Sequence, residues 1–262
     1  MTATLRYEFR MQLRRPALWI AHVLLFAVLV VLDDGYWTLD LGRAGAHDPR
    51  EAMITAAEVV FVLLPLAYAC LLTDRLARDR RLGVAALLDS APASRTGRLV
   101  GKYLGVCAAT AVPIALAYFG RAAGYAVTEG EPAALGWAVL IFLAAGVPCL
   151  LFLGALTFAG QLLVPSLLLQ VLLAAYWFWG NLIPASMMPT LSRTVLAAKG
   201  DYAWYGFFAA DPSGHAARGN AAFDVLRPAA SPATALLWTA LMIAFTAALL
   251  LAVRLHSSRN ES

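Results

Sequence analysis

The side chains in this chain that are able to do chemistry lie at isolated positions inside long apolar stretches. Glu58 and Arg121 are charged residues placed well within two such stretches. Charged groups are costly at membrane depth, so they mark candidate functional sites there. Because the two stretches are consecutive, their helices would run antiparallel. We therefore expect either an ion pair between Glu58 and Arg121 facing the interior, or two side chains that snorkel separately to one interface.

Two further strings resemble catalytic motifs without satisfying them. The string Gly97–Tyr103 is similar to the phosphate-binding loop of ATPases. Its glycines, however, are one residue too close together, and Tyr103 replaces the Ser or Thr whose hydroxyl would bind Mg²⁺. The tripeptide Ser213-Gly214-His215 lacks the G-x-S-x-G turn and a placed acid. We predict that the chain has no catalytic residues and is not an enzyme.

Metal and cofactor ligands are not indicated either. His22 stands alone, without a second ligand one helical turn away, and is interpreted as a packing or interface residue. Cys70, Cys107 and Cys149 lie in separate apolar runs without the spacing of metal ligands, so they are predicted to be small buried hydrophobes. The prediction is that this chain holds no metal and no cofactor.

Composition identifies the environment of these residues. The 262 residues are 61% hydrophobic and 14% charged, whereas a soluble domain is about 45–50% apolar and about 25% charged. Such a chain cannot cover itself with polar surface in water. It is predicted to be all-α and embedded in a membrane, as one transmembrane domain over residues 1–262.

Six apolar segments reach or approach the roughly 20 residues that a membrane-spanning helix needs. Gly160–Gln161 provides the turn that divides an apolar stretch too long for a single span. The predicted spans are approximately residues 17–32, 52–73, 103–127, 134–159, 162–183 and 233–255.

The distribution of charge predicts the orientation. The N-terminal segment, the loop 74–102 and the C-terminal end together carry 13 basic and 5 acidic residues, and the remaining segments carry 7 and 11. Basic loops stay in the cytoplasm, so both termini are predicted inside. The net charge of +4 is a consequence of topology and indicates no nucleic-acid partner. Arginine and alanine usage suits a bacterial plasma membrane protein with several passes.

Two cytoplasmic pieces have a readable pattern. In Thr2–Arg15, Leu5, Phe9 and Leu13 form one stripe and arginines form another, which predicts an amphipathic helix in the interface or a basic tail that sets topology. Within residues 74–102, the apolar patch Leu82–Leu88 lies between arginines. Such a patch is typical of a helix that docks on another protein, or of one that lies on lipid.

The order of these pieces resembles the membrane subunits of ABC-2-type ABC transporters. The resemblance rests on Leu13–Trp19 before the first span, on the loop strings Asp79–Gly83 and Leu87–Arg95, and on Val100–Leu104 at the third span. Asp79 stands where the family often has Glu, and Val84 where it often has Thr.

The resemblance implies a permease driven by a separate ATP-binding subunit, which would hold ATP and Mg²⁺. It also implies a second permease half, identical or different, an N-terminal elbow helix at residues 2–15, and a cytoplasmic coupling helix in the loop 74–102. The implied coupling residues are Asp79, Arg80, Arg81, Leu82, Gly83, Leu87, Leu88 and Pro92. Together with the apolar spans, it suggests export of a lipophilic or antibiotic-like substrate.

Alternatives stay open for the outer loop and for the function. Residues 184–232 carry an aromatic cluster that fits an interfacial segment, or an external gate over a transport path. An ion-driven secondary transporter is the main alternative function, because Pro113, Pro148 and Pro165 are able to break helices, although no matching halves are visible. An intramembrane enzyme would need paired catalytic groups within the spans, and the sequence has none.

Overall fold

The computed structural model describes residues 2–32, 48–73, 95–209 and 223–259, and every regular element within these ranges is helical. The α-helices are α1 (Thr2–Leu13), α2 (Pro16–Leu32), α3 (Pro49–Leu72), α4 (Arg95–Thr128), α5 (Ala133–Ile141), α6 (Val147–Gly160), α7 (Ser166–Trp177), α8 (Asp201–Phe208) and α9 (Pro232–Arg259). A π-helical turn at Phe142–Gly146 joins α5 to α6, a second at Phe178–Leu182 extends α7, and a 3-10 turn lies at Asp224–Leu226.

The helices confirm a membrane-embedded, all-helical chain but not the count of six spans. Four helices within the described residues are long and apolar enough to cross a membrane: Pro49–Leu72, Thr96–Thr128, Ala133–Gly160 and Pro232–His256. A fifth exists if α1 and α2, which are bent by 59°, form one broken span. The predicted span 162–183 is shorter than expected, because the helix begins only after Pro165 and gives the apolar helix Ser166–Leu182.

Helix α3 lies at the centre, where it contacts α2, α4, α5, α6, α7 and α8. Tyrosine hydroxyls fix its register with the neighbouring helices. Tyr118 of α4 donates to the Met53 carbonyl at 3.1 Å, and Tyr68 of α3 donates to the Leu150 carbonyl of α6 at 2.8 Å. Tyr103 of α4 donates to the adjacent Leu151 carbonyl at 2.6 Å. Helix α4 is therefore antiparallel to α3, and α6 is parallel to it.

These directions give the bundle two ends. At the loop end, α3 begins, α4 ends, and residues 183–209 and 223–231 lie between α7 and α9. At the opposite end lie α1, the beginning of α4 and the turn between α6 and α7. The positive-inside prediction assigns the loop end to the outside, and that assignment stays a prediction.

Close packing in the middle of the bundle depends on Gly154. A Cβ atom there would lie 2.5 Å from Cys107 Sγ and 3.0 Å from Tyr68 Oη, so only glycine lets α6 approach the two tyrosines. Cys107 and Cys149 are buried, as expected for small apolar side chains, and Cys70 is half-buried. The tight contact explains how α6 meets α3 and α4 at once.

The N-terminal segment Thr2–Leu13 is helical, and the face that it buries within the protein is polar. Glu8 and Gln12 are buried against α4, where Gln12 Nε2 donates to Thr110 Oγ1 at 2.9 Å. The Leu5 carbonyl lies so close to Gly105 that a Cβ atom there would be 2.5 Å from it, although Leu5 as a whole is only half-buried. A glycine on α4 allows this close backbone contact through the polar side of α1, while the leucine and phenylalanine stripe is half-buried. The placement of that stripe in lipid stays a prediction.

Helix α9 is the helix that the described bundle covers least. Only 17% of its apolar segment is buried, against 56% for each of the other three spanning helices. Trp238 and Met242 face the bundle, whereas Leu236, Ile243 and Leu251 are exposed. An apolar face of this kind is stable in lipid.

Candidate functional site

Residues 183–209 and 223–231 fold into a cover over the loop end. Trp238 of α9 donates to the Ala197 carbonyl at 2.7 Å, and the Val195 amide donates to the Leu226 carbonyl at 3.0 Å. Tyr202 and Trp204 are buried within the protein. These two aromatic residues therefore pack against the bundle, and the interpretation of the whole segment as a lipid-interface segment does not describe them.

Between the cover and the helix ends lies a chamber of about 340 Å³. Three cationic side chains and one carboxylate line it: Arg193, Lys199, Arg227 and Asp201. The rest of its wall combines polar and apolar residues, among them Asn181, Ser186 and Leu182. A concave site with a few convergent polar groups is the usual form of a ligand site.

Arg227 builds one wall of the chamber. Its Nη1 donates to Asp224 Oδ1 at 2.7 Å, its Nη2 to the Thr190 carbonyl at 2.7 Å, and its Nε to the Ser192 carbonyl at 3.2 Å. The guanidinium is nearly fully buried. A buried charge is stabilised by hydrogen bonds of this kind. Arg227 therefore has a structural role, because it joins the two segments of the cover.

Asn181 holds the cover to the helix below it. The residue lies in the π-helical turn that extends α7, and its Nδ2 donates to the Trp177 carbonyl at 3.2 Å. Its Oδ1 accepts from the Lys199 amide at 2.9 Å, and its carbonyl accepts from Ser192 Oγ at 3.3 Å. Local π-helical turns often occur at functional sites, and this one turns an amide group toward the chamber.

A lysine and an aspartate form a loose, largely buried pair in the chamber wall. Lys199 Nζ lies 3.6 Å from Asp201 Oδ1 and 5.7 Å from the centre of the Trp204 ring. Gly200 stands between them with φ +100°, a conformation that glycine adopts without strain. At 3.6 Å the pair is electrostatic rather than a hydrogen bond.

Glu58 contacts the cover and not Arg121. Tyr205 of α8 donates to Glu58 Oε1 at 2.5 Å, and the charges that act on Glu58 are those of Lys199, Asp201 and Arg193. Burial, and next the Glu58 carboxylate, raise the pKa of the Tyr205 hydroxyl above its ordinary value. Tyr205 therefore keeps its proton and remains the donor at neutral pH.

The expected ion pair between Glu58 and Arg121 is not the contact that the structure gives Glu58. Tyr118 is level with Met53, so Arg121 lies toward the loop end from that point, whereas Glu58 lies deeper. At a rise of 1.5 Å per residue, the two side chains are offset along the bundle by roughly 10 Å. Arg121 is buried on α4.

Arg193 completes the chamber wall in a strained conformation. Its φ is +56°, the left-handed region, which only a few per cent of residues other than glycine adopt. The side chain is exposed at the chamber. Strain of this kind persists when the surrounding structure holds the residue in place.

The eight predicted coupling residues, Asp79–Gly83, Leu87, Leu88 and Pro92, lie outside the described residues. His22 is buried, with Nδ1 2.8 Å from the Leu18 carbonyl. The sequence pattern singled out Glu58 and, within the aromatic cluster of the outer loop, Tyr205. It missed Lys199 and Asp201, because charges in a long loop look like solvated surface. The one available signal was the alternation of these charges with aromatic residues in 199–208.

Within the described ranges, no three His, Cys, Asp or Glu residues are grouped to hold a metal ion. Comparisons with protein-family models, with curated proteins and with solved structures find no match to this chain.

Proposed function

We propose that this chain is the membrane permease subunit of an ABC transporter of the ABC-2 type, powered by a separate ATPase subunit, and that it exports a lipophilic or antibiotic-like substrate. The proposal includes a second permease half and a bacterial plasma membrane with both termini in the cytoplasm. It is supported by the loop sequence 74–102, by the helical bundle, and by the way the bundle continues from that loop.

The observation that carries the proposal is the continuity between the charged loop and α4. The loop ends at Lys102, inside a single unbroken helix of 34 residues from Arg95 to Thr128. At 1.5 Å per residue that helix is about 50 Å long, more than the roughly 30 Å of a membrane core. A force applied to the segment 74–102 would therefore be transmitted to the loop end along one continuous helix, in which Pro113 removes one backbone hydrogen bond.

Contacts at the opposite end support the same reading. Helix α1 lies against the first half of α4 through Gly105 and the Gln12–Thr110 hydrogen bond. Such backbone contact leaves little freedom for the two helices to slide. In an ATP-driven cycle, α1 and α4 would move together as one lever, which is the role implied for an elbow helix.

The cover at the loop end is suited to act as a gate. The cover is joined to the helices by the bond from the Lys199 amide to Asn181 and by the bond from Tyr205 to Glu58, and also by the buried aromatic side chains of Tyr202 and Trp204. Opening it would break hydrogen bonds at a net cost of about 1 kcal/mol each and would also expose these aromatic side chains. An ATP-driven cycle would have to supply this energy through α4.

Transport in vesicles tests the proposal. Inside-out membrane vesicles from cells that express the chain with its ATPase should take up a lipophilic fluorescent antibiotic when ATP is added. Leu87→Asp and Arg81→Glu should abolish this uptake, because both change the docking patch. Arg254→Gln, a charge change on exposed α9, is the matched control and should leave uptake unchanged. Equal uptake by all three variants would refute the coupling role.

A second function, ion-driven transport, is favoured by one observation. Glu58 and Asp201 are carboxylates near the loop end that interact with Tyr205 and Lys199 at 2.5 Å and 3.6 Å, an arrangement also found in proton relays. The same vesicles distinguish the two functions. Uptake that follows an imposed pH gradient in the absence of ATP would favour the secondary transporter, and uptake that requires ATP would favour the permease.

A further inference from the structure

Two cations of the chamber make no side-chain hydrogen bond to any residue that the structure describes. Each nitrogen of the Arg227 guanidinium donates once, to Asp224 or to a carbonyl, so three of its N–H groups are used. Lys199 has only the loose contact with Asp201 at 3.6 Å and the face of Trp204, so its ammonium makes no hydrogen bond within the described residues. A lysine needs three acceptors to satisfy its N–H groups.

Arg193 adds a second set of unused donors to the same wall. The Arg193 guanidinium makes no hydrogen bond to the residues that the structure describes, although its charge interacts electrostatically with Glu58 and Tyr205. Glu58 already accepts from Tyr205, and Asp224 accepts from Arg227. Asp201, whose Oδ1 accepts no hydrogen bond within the described residues, balances part of the chamber's positive charge, so three cations face one carboxylate in the wall. An anionic group that enters the chamber would thus meet the donors of Lys199 and Arg193, and planar guanidinium groups bind phosphate well.

The surface beside the chamber is apolar and exposed. Trp179 lies in the π-helical turn that extends α7, two residues before Asn181 of the chamber wall, and it donates to the Pro189 carbonyl of the cover at 3.0 Å. Along the same helix, Leu168, Val171 and Leu172 are each about half exposed or more. In a membrane, this surface would lie next to acyl chains. The polar chamber and the apolar helix face therefore form one amphipathic site.

We propose that the chamber binds the phosphate headgroup of an anionic membrane lipid, with Arg193 and Lys199 as its ligands and with the acyl chains along the exposed face of α7. The volume of about 340 Å³ accommodates a glycerol phosphate group. This inference does not rest on the transport function, because the site is formed by described residues of this chain alone.

Native mass spectrometry of the detergent-solubilised full chain tests the site. The probes are phosphatidylglycerol, a diacylglycerol with the same acyl chains, and inorganic phosphate. We expect phosphatidylglycerol to bind several-fold more tightly than diacylglycerol. Loss of a charged hydrogen-bond pair costs about 1.5–3 kcal/mol, so Arg193→Gly and Lys199→Gln should each weaken phosphatidylglycerol binding by about tenfold or more.

Arg193→Gly keeps the test independent of folding. Glycine adopts a φ of +56° without strain, so this variant should fold at least as well as the parent chain. Arg50→Gln is the matched control, since Arg50 lies at the loop end, pairs with Asp48 at 3.1 Å and does not line the chamber. Its lipid binding should equal that of the parent chain.

Three results would overturn the proposal. The first is equal binding of phosphatidylglycerol and diacylglycerol. The second is unchanged phosphatidylglycerol binding in both Arg193→Gly and Lys199→Gln, or an equal loss in Arg50→Gln. The third is binding of inorganic phosphate that requires Arg193 while phosphatidylglycerol does not bind, which would identify a soluble anion as the ligand instead of a lipid.

Discussion

At the end of the bundle opposite the loop end, the backbone of α1 packs directly against α4. A side chain at Gly105 would collide with the Leu5 carbonyl. At the loop end, the cover meets α3 through the hydrogen bond from Tyr205 to Glu58, and it meets the extension of α7 at Asn181, in the wall of a chamber of about 340 Å³. The first contact is steric and the second is electrostatic and hydrogen-bonded. Steric contacts transmit motion, whereas polar contacts around a cavity are able to exchange partners.

The largest expected effect comes from breaking the steric contact. Gly105→Leu would place a Cβ 2.5 Å from the Leu5 carbonyl and force α1 away from α4. We expect a loss of about 3 kcal/mol in the free energy of unfolding, the upper range for overpacking. Thermal unfolding in detergent measures it, with a decrease in Tm of roughly 6–12 °C.

Gly120→Leu is the matched control for that prediction. Gly120 lies on the same helix, and a Cβ there meets no atom within 4 Å. Its Tm should change by less than about 2 °C, because surface substitutions usually alter stability by no more than about 0.5 kcal/mol. Similar decreases in both variants would show that α1 does not depend on close contact with α4.

A smaller effect is expected from removing the buried cation at the loop end. Arg227→Gln leaves Asp224 and the Thr190 and Ser192 carbonyls without their donors. The expected loss is about 2–3 kcal/mol. Hydrogen exchange should become faster at the amide of Val195, which donates to Leu226. Arg50→Gln, which breaks an exposed pair, should change neither quantity appreciably, and a protected Val195 amide in Arg227→Gln would count against the wall described.

The hydrogen bond between Tyr205 and Glu58 should give a coupling energy of about 1–2 kcal/mol. A double-mutant cycle with Glu58→Gln and Tyr205→Phe measures it from unfolding in denaturant. The comparison cycle uses Glu58→Gln with Arg121→Gln, and these two should add within about 0.5 kcal/mol. Strong coupling to Arg121 and none to Tyr205 would restore the ion pair expected from the sequence.

The smallest expected difference concerns the strained residue of the chamber. Arg193→Gly should be more stable than Arg193→Ala by about 1 kcal/mol, because alanine keeps the cost of the left-handed conformation. Parallel thermal scans of the two variants measure the difference. If alanine is equally stable, φ at residue 193 is not held at the observed +56°.

The sequence predicted helices where apolar runs were long, because burial in lipid is enough to fix both their type and their approximate limits. It did not predict the buried face of α1, since that face depends on Gly105, about a hundred residues away in the chain. Nor did it predict the partner of Glu58. Tyr205 reaches Glu58 only after the loop has folded back over α3, and no local pattern encodes a contact with a sequence separation of 147.

Affinity purification of the tagged chain from its native membranes tests the central claim of a permease driven by a partner ATPase most directly. The quantity measured is ATP hydrolysis in the eluate. We expect an ATP-binding subunit to co-purify with the chain. ATP hydrolysis in the eluate should therefore fall at least tenfold with Leu87→Asp and stay unchanged with Arg254→Gln. An eluate of the parent chain that contains no ATP-binding subunit, obtained under conditions in which the helical bundle remains folded, would contradict it.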